Sequence, residues 1–240
     1  MTFKSVVRKL SWTIRNLPVT VWFNFTKLPF SQARKLPILL YKPKFINNSG
    51  RIEIDGPVKF GMIKLGSNCV SIYPNNGLRF ENNGLITFKG SAVIGNNSAI
   101  SIGPTGHVTL GDGFKATSTL KLICYNEIVF DKNVLVGWDC MFCDTDFHKL
   151  TFVNNNGYSK GYGTINVGHD CWFANGCKTY KNIYVPNCCV IGADTVLYKP
   201  FKCEPYSLVC NDTPIVVKAS GVYHNMNDDE IQYKSNYKVD

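Results

Sequence analysis

The residues of this chain whose types and spacing are suited to chemistry lie between Phe142 and His148, which read Phe-Cys-Asp-Thr-Asp-Phe-His. If a strand continues through this segment, its two-residue period places Asp144, Asp146 and His148 on the same side. A carboxylate beside a histidine fixes the tautomer of the imidazole and raises its basicity. The segment therefore predicts a general base, His148, that removes a proton from a hydroxyl group.

Other interpretations of these residues remain open. The Asp-x-Asp-x-His run also fits a loop of mutual hydrogen bonds or a weak metal site. Cys143 is a candidate covalent nucleophile, but His148 is its only nearby partner in the sequence, so this route is not favoured. Of the other histidines, His169 is expected in an exposed turn, and His107 and His224 have no recognisable context.

A six-residue repeat is the structural element that must position this segment. Neither a helix nor a strand produces a period of six, whereas a coil with three flat faces does. The first residue of each repeat points into a prism, the fifth fills a corner, and stacked coils form a parallel β-helix. The predicted inward row is Val167, Phe173, Thr179, Val185, Ile191 and Leu197. The predicted corner row is Cys171, Cys177, Ile183, Cys189 and Thr195.

The repeat is interrupted after Phe142, since the next clear inward residue, Val167, comes 25 positions later. Residues 149–164 are polar and rich in Gly and Asn, so we expect a loop extruded from the solenoid, and long loops of this kind are often functional. His148 falls at an inward register position just before this loop. An imidazole fills an apolar core poorly, and this favours catalysis over packing as its role. Earlier patches of the repeat occur at Phe88, Ile94 and Ile100 and at Phe130, Val136 and Phe142.

These patterns predict an all-β protein in three parts. Residues 1–50, interrupted by four prolines, are expected to form two short helical or irregular pieces that cap the first coil. The solenoid is predicted for residues 51–200, with the extruded loop at 149–164. Residues 201–240 are expected to form a C-terminal cap and tail, because an uncovered solenoid end would expose strand edges.

The net charge of +9 is concentrated at the start of the chain, where residues 1–45 contain nine Lys and Arg and no Asp or Glu. Aromatic residues alternate with these cations, a mixture that suits an anionic membrane surface. A cap that also contacts a membrane is favoured slightly over a cap whose charges are only solvated. Nucleic acid is a less favoured partner, and we expect none.

The ten cysteines are interpreted as free thiols in a reducing compartment. Cys140, Cys171, Cys177 and Cys189 fall at corner positions, where a thiol packs as a small apolar group. No secretory leader with an A-x-A-like cleavage site is recognisable, so a cytoplasmic location is expected. Paired C-x-x-C motifs are absent, and we therefore expect no metal.

Three segments together resemble a known family, the hexapeptide-repeat acyltransferases, and within it the O-acetyltransferases that modify bacterial surface polysaccharides. They are Asp144-Thr-Asp-Phe-His148, Ile165-Asn-Val-Gly-His-Asp-Cys-Trp172 and Val190-Ile-Gly-Ala-Asp-Thr-Val-Leu197. The resemblance covers roughly residues 85–220 and is strongest from 142 to 200. The chain departs from the family at Trp172-Phe-Ala174, where Trp-Ile-Gly is common, and near its end at Cys210–Lys218.

The resemblance implies a left-handed β-helix, a homotrimer, and acetyl-CoA as acyl donor in the groove between neighbouring solenoids. It also maps the histidine of the family to His148, which would deprotonate a sugar hydroxyl for direct attack on the thioester. Small residues that permit close backbone approach, lysines for the phosphates and one Trp are the candidate cofactor contacts. These are Trp172, Gly176, Lys178, Gly192, Ala193, Lys199 and Lys218.

Three other functions are alternatives to O-acetylation of a surface polysaccharide or its precursor. An amino sugar acceptor would make the protein an N-acetyltransferase, and the sequence leaves this open. A non-catalytic, membrane-associated scaffold fits the basic arm but not the segment around His148. A γ-type carbonic anhydrase needs closely spaced zinc histidines, whereas the gaps between successive histidines here are 41 and 21 residues from His107 to His169.

Overall fold

Two helices and twenty-two strands form the computed structural model, which describes residues 3–148, 160–211 and 216–221. The helices are α1 (Phe3–Lys27) and α2 (Phe30–Ala33). The first coil contains β1 (Ile38–Leu40), β2 (Pro43–Asn47) and β3 (Arg51–Ile54), and the second contains β4 (Ile63–Ser67), β5 (Leu78–Asn82) and β6 (Leu85–Phe88). The third contains β7 (Ala92–Gly95), β8 (Ser98–Ile102) and β9 (His107–Leu110), and the fourth contains β10 (Phe114–Ala116), β11 (Lys121–Cys124) and β12 (Glu127–Phe130). The fifth contains β13 (Leu135–Val136), β14 (Met141–Cys143) and β15 (Thr164–Val167), and the sixth contains β16 (Trp172–Phe173), β17 (Lys178–Tyr180) and β18 (Ile183–Val185). The remaining strands are β19 (Val190–Ile191), β20 (Val196–Leu197), β21 (Leu208–Cys210) and β22 (Val216–Ala219).

The three strands of each coil belong to three different parallel sheets, which we call faces A, B and C in chain order. From β1 to β17 each strand pairs in parallel with the equivalent strand one coil later, as in β10 with β13 and β13 with β16. This connectivity makes a three-sided prism, and the predicted all-β parallel β-helix is confirmed. Face A alone continues to β21, and β22 pairs with β21 in the antiparallel sense at the C-terminal end.

The six-residue register is confirmed by burial of the side chains. All six predicted inward residues from Val167 to Leu197 are at most 3% exposed, and the five corner residues are at most 1% exposed. Aromatic rings fill the middle of the prism, with centroid separations of 4.8 to 5.0 Å between successive members. They are Phe114, Phe130, Phe142 and Phe173. All ten cysteines are free.

The N-terminal segment differs from its prediction. The segment contains two helices, but the first of them, α1, is long and runs from Phe3 to Lys27 with Pro18 inside it. A proline in a helix removes one backbone hydrogen bond, and here the helix continues past that loss. The first coil begins with β1 at Ile38, before the predicted boundary at residue 51, because the apolar run from Leu36 to Tyr41 contains the first strand of face A.

Helix α1 covers the open edge of β1 with three polar side chains spaced four residues apart. Asn16 accepts a hydrogen bond from the N–H of Lys42 at 2.9 Å, and Thr20 accepts one from the N–H of Leu40 at 3.1 Å. Asn24 accepts from the N–H of Ile38 at 3.2 Å and donates to its carbonyl at 2.8 Å. The three side chains replace a neighbouring strand, since edge N–H and C=O groups would otherwise lie unpaired. None of the described helices combines the length and apolar character needed to cross a bilayer.

Candidate active site

The solenoid is interrupted at the corner between faces B and C of the fifth coil. In the fourth coil only Tyr125 and Asn126 connect β11 to β12, whereas residues 144–163 connect β14 to β15. Residues 149–159 of the predicted loop lie outside the described residues. The residues at its two ends form a short antiparallel ribbon, with a bridge between Thr145 and Tyr162 and a hydrogen bond from the N–H of Asp146 to the carbonyl of Gly161 at 2.7 Å.

Asp144 does not face the same side as Asp146 and His148, so that prediction is wrong. Strand β14 ends at Cys143, and the two-residue alternation ends with it. The carboxylate of Asp144 is fully buried and accepts hydrogen bonds of 2.8 Å from the N–H groups of Tyr125 and Asn126. One coil earlier, the equivalent N–H of Gly103 donates to a main-chain carbonyl. In the fifth coil the main chain leaves the solenoid at this point, so the carboxylate of Asp144 replaces the main-chain carbonyl as the acceptor. Asp144 is therefore a positioning residue.

Asp146 is exposed and forms an ion pair with Lys181 of the next coil. The ammonium of Lys181 also donates to the carbonyl of Lys160 at 2.8 Å. Among the described residues, the carboxylate of Asp146 thus pairs with a lysine rather than with His148. Through Asp146 and Lys160, Lys181 therefore connects both ends of the extruded segment to the sixth coil.

His148 is exposed, and the prediction that it occupies an inward position is wrong. The preceding residue, Phe147, has a φ of 61°, which turns the chain outward before the histidine. The ring of Phe147 packs edge-on against Tyr125 at a centroid distance of 5.0 Å. The N–H of Phe147 donates to the hydroxyl of Thr145 at 3.0 Å. These contacts place His148 at the solvent side of the B–C corner, where a second molecule or subunit can reach it.

Five of the seven candidate cofactor residues lie away from the B–C corner. Trp172 stands on face A in β16 and is 37% exposed, and Lys178 is exposed on face B in β17. Gly176, Gly192 and Ala193 lie at the corner between faces A and B, and Lys199 follows β20. The seventh, Lys218, lies in β22, and its side chain is outside the described residues.

Packing alone accounts for the glycines at this corner. Gly176 has a φ of 74°, and a Cβ there would lie 2.0 Å from a carboxylate oxygen of Asp194. A Cβ at Gly192 would lie 2.6 Å from the sulfur of Cys210. The positive φ favours glycine at position 176, and coil stacking leaves little room for a side chain at either position, whether or not a ligand approaches them.

A single chain does not bring His148 and Trp172 together. The B–C corner of a triangular prism is opposite face A, so the two residues project from opposite sides of the same solenoid. A site that uses both must combine two chains.

Cys143 is a poor nucleophile in this structure. Its thiol is 7% exposed and donates a hydrogen bond to the carbonyl of Thr145 at 3.1 Å. Burial raises the pKa of the Cys143 thiol, which disfavours the reactive thiolate. This agrees with the direct route preferred from the sequence.

A cluster that the sequence pattern did not reveal lies at the corner between faces C and A. His169, Asp170 and Cys188 each offer one ligand atom, and these atoms lie within 4.8 Å of one another. The imidazole of His169 is half-buried and is 2.7 Å from the carboxylate of Asp170, which also accepts a hydrogen bond from Asn133. Cys188 follows Asp170 by 18 residues, the length of one coil, and this spacing is the signal that could have shown their proximity.

Comparisons with known proteins identify relatives of this fold. No family model matches the chain. An uncharacterized 24.8 kDa protein in the cps region of Klebsiella pneumoniae is 27% identical over 148 residues, which are 61% of this chain and 64% of that protein. The chain thus spans less than two thirds of the length of the curated relative that it matches.

Three of the similar solved structures are acetyltransferases. The polySia-specific acetyltransferase NeuO is 13% identical, covers 80% of each chain and has a TM-score of 0.48. The polysialic acid O-acetyltransferase OatWY is 17% identical, with 79% of this chain and 93% of that chain covered and a TM-score of 0.43. A hexapeptide-repeat acetyltransferase from Vibrio cholerae in complex with acetyl-CoA is 10% identical, with 85% and 84% covered and a TM-score of 0.31. The resemblance inferred from the sequence is confirmed as a resemblance in fold.

Proposed function

We propose that this protein is an acetyl-CoA-dependent O-acetyltransferase whose acceptor is a hydroxyl of a bacterial surface polysaccharide or its precursor. The observation that carries the proposal is the placement of His148. The longest insertion in the described coils, residues 144–163, interrupts the prism at the B–C corner, and the ribbon at its base holds an exposed imidazole there. A packing role would bury this ring, whereas a general base must be open to its substrate.

The reaction follows from one proton transfer and one acyl transfer. His148 accepts the proton of the sugar hydroxyl while the oxygen attacks the thioester carbonyl carbon. The tetrahedral oxyanion is stabilised by a backbone N–H donor. When the carbon–sulfur bond breaks, the imidazolium returns the proton to the sulfur of CoA, so the products are an acetyl ester and free CoA.

The opposite placement of His148 and Trp172 supports a homotrimer. In a ring of three chains every interface is heterologous, so one surface of a chain meets a different surface of the next. Such an interface can bring the B–C corner of one solenoid against face A of its neighbour. Each of the three sites would then take its base from one subunit and its cofactor surface from another.

The cofactor surface in this proposal runs along the A–B corner and face B. Pantetheine is a thin chain with two amides, and the small residues Gly176, Gly192 and Ala193 leave room for it close to the backbone. The exposed Lys178 of β17 and the exposed Lys199, which follows β20 of the same face, are the proposed partners of the phosphates. Lys218 belongs to the same proposal, and Trp172 would border the acyl group.

We place this activity in the cytoplasm, because ten free thiols, most of them buried, fit a reducing compartment. The acceptor is a carbohydrate, and residues 1–45 bring the enzyme to the membrane. Neither a metal ion nor a nucleic acid takes part in the proposed reaction.

The test compares the purified protein with His148→Ala and His148→Asn in the presence of acetyl-CoA and a panel of oligosaccharides. Release of CoA should fall by about 10²–10⁴-fold in both variants, the usual contribution of a general base. Melting temperature and subunit number should stay the same, because the ring is exposed. Retained turnover would show that another residue is the general base. Calorimetry that shows no binding of acetyl-CoA would favour a non-catalytic scaffold. A product stable to hydroxylamine would indicate an amide and therefore N-acetylation.

A further inference from the structure

The helix α1 lies across the end of the solenoid. Its buried residues Asn16, Thr20 and Asn24 bind the free edge of β1, whose other edge pairs with β4 of the second coil. Strands of successive coils are stacked along the prism axis, so a helix on the free edge is an axial cap. The side of α1 opposite these three residues therefore faces away from the solenoid along its axis.

This outward side is apolar where a helix exposed to water would be polar. Four large apolar side chains are exposed on α1 and the adjoining turn, and we call them the aromatic end surface. Trp22 lies at its rim, because its ring also packs edge-on against Phe45 of β2 at 5.7 Å. Their exposed fractions are 37% for Val21, 51% for Trp22, 47% for Phe25 and 72% for Phe30. The rings of Phe25 and Phe30 contact each other edge-on at 6.0 Å, so these two form one continuous patch. Exposed apolar patches of this kind mark interaction surfaces.

The charges around the patch identify its partner. Arg15, Arg34 and Lys35 are exposed beside it, and residues 1–45 contain nine cations and no carboxylate side chain. A protein partner with an apolar surface would not require this excess. A lipid bilayer with anionic headgroups satisfies both features, because aromatic rings insert at headgroup level and each nearby cation adds about 1 kcal/mol.

We propose that the aromatic end surface docks on an anionic lipid bilayer with the solenoid axis directed away from the membrane, an inference that rests on the proposed membrane location of the enzyme. In a ring of three chains with parallel axes, all three caps face the same side and bind together, which multiplies the affinity of one cap. His148 lies in the fifth coil, four coil spacings of about 4.8 Å, or about 19 Å, above the first. The membrane thus holds the active site at a fixed height for an acceptor made at its surface.

The experiment measures sedimentation of the full-length protein with vesicles of phosphatidylcholine alone or mixed with phosphatidylglycerol. Binding should require phosphatidylglycerol and should weaken with added salt, because surface electrostatics are screened. The triple variant Trp22→Ser, Phe25→Ser, Phe30→Ser and the double variant Arg34→Glu, Lys35→Glu should each weaken binding at least about tenfold. A control variant, Phe60→Ser, Ile72→Ser, changes two exposed apolar residues elsewhere and should bind as the unmodified protein does.

Several outcomes would overturn the inference. These are equal binding to neutral vesicles, no vesicle binding by the unmodified protein, or unchanged binding by both sets of variants. A change of subunit number in the aromatic variant would assign the surface to a second copy of the chain instead, and selective binding of a DNA oligonucleotide would assign the cations to nucleic acid. Acetyl transfer to a soluble oligosaccharide should be unchanged in all the surface variants. This readout separates failure of membrane docking from failure of the proposed enzymatic function.

Discussion

The carboxylate of Asp144 accepts a 2.8 Å hydrogen bond from the backbone N–H of Tyr125, and the ring of Tyr125 packs against Phe147, the residue before the proposed base. The fourth coil therefore sets the position of His148 through two contacts, one buried and one at the surface. A residue that never touches substrate can then control the placement of the base.

Replacement of Asp144 by Ala should lower both stability and turnover. The change leaves the buried N–H groups of Tyr125 and Asn126 without acceptors, at a cost of about 1–3 kcal/mol each. Thermal unfolding and the kcat for acetyl transfer are the measurements, and kcat should fall more than KM rises because the ribbon loosens under His148. Asp146→Ala is the control, since an exposed ion pair contributes only about 0–1 kcal/mol. Equal stability of the two variants would contradict the positioning role of Asp144.

Replacement of Asn24 by Ala should destabilise the N-terminal cap. The buried side chain of Asn24 serves both the N–H and the C=O of Ile38, and the loss of each partner costs about 1–3 kcal/mol. Thermal unfolding should show a clear decrease in Tm. The exposed Thr26, whose hydroxyl bonds to the carbonyl of Trp22, is a matched control on the same helix. Thr26→Ala should change the free energy of unfolding by no more than about 0.5 kcal/mol. A Tm unaffected by Asn24→Ala would show that the edge of β1 does not need this cap.

The sequence predicts the fold correctly where the same position of every repeat faces the core. The inward row from Val167 to Leu197 could be predicted because a filled prism accepts only apolar or small side chains at that position. The corner thiols followed from the same restriction. The orientation of Asp144 and His148 could not be predicted, because β14 ends at Cys143 and local alternation stops where the insertion begins.

The N-terminal helix shows a second limit of sequence reasoning. The prolines predict interruptions, whereas α1 continues through Pro18, with Asn16 and Thr20 on either side of it bonded to the segment of β1. Polar residues at four-residue spacing, Asn16, Thr20 and Asn24, were the available signal. The role of these three residues can be recognised only when β1 is placed beside the helix, and their partners lie 14 or more residues later in the chain. In the proposed trimer, the position of His148 relative to the cofactor residues is set by the contact between two chains. No pattern within the sequence of one chain could therefore predict it.

A chelator should leave the activity unchanged. The proposed reaction uses only an imidazole and the thioester, although His169, Asp170 and Cys188 are close enough to hold a metal ion. Elemental analysis of the purified protein and assays before and after EDTA test this expectation. Activity that disappears with EDTA and returns with Zn²⁺ would contradict it, and His169→Ala would then show whether this cluster is responsible.

The most direct test of the account mixes two inactive variants, His148→Ala and Trp172→Ala, unfolds them together and refolds them into shared trimers. If each site joins the B–C corner of one subunit to face A of the next, random assembly of equal amounts restores about one quarter of the sites. Acetyl transfer should therefore recover to about one quarter of that of the unmodified protein. Mixed trimers that stay as inactive as either variant alone would show that the two residues do not meet across a subunit boundary.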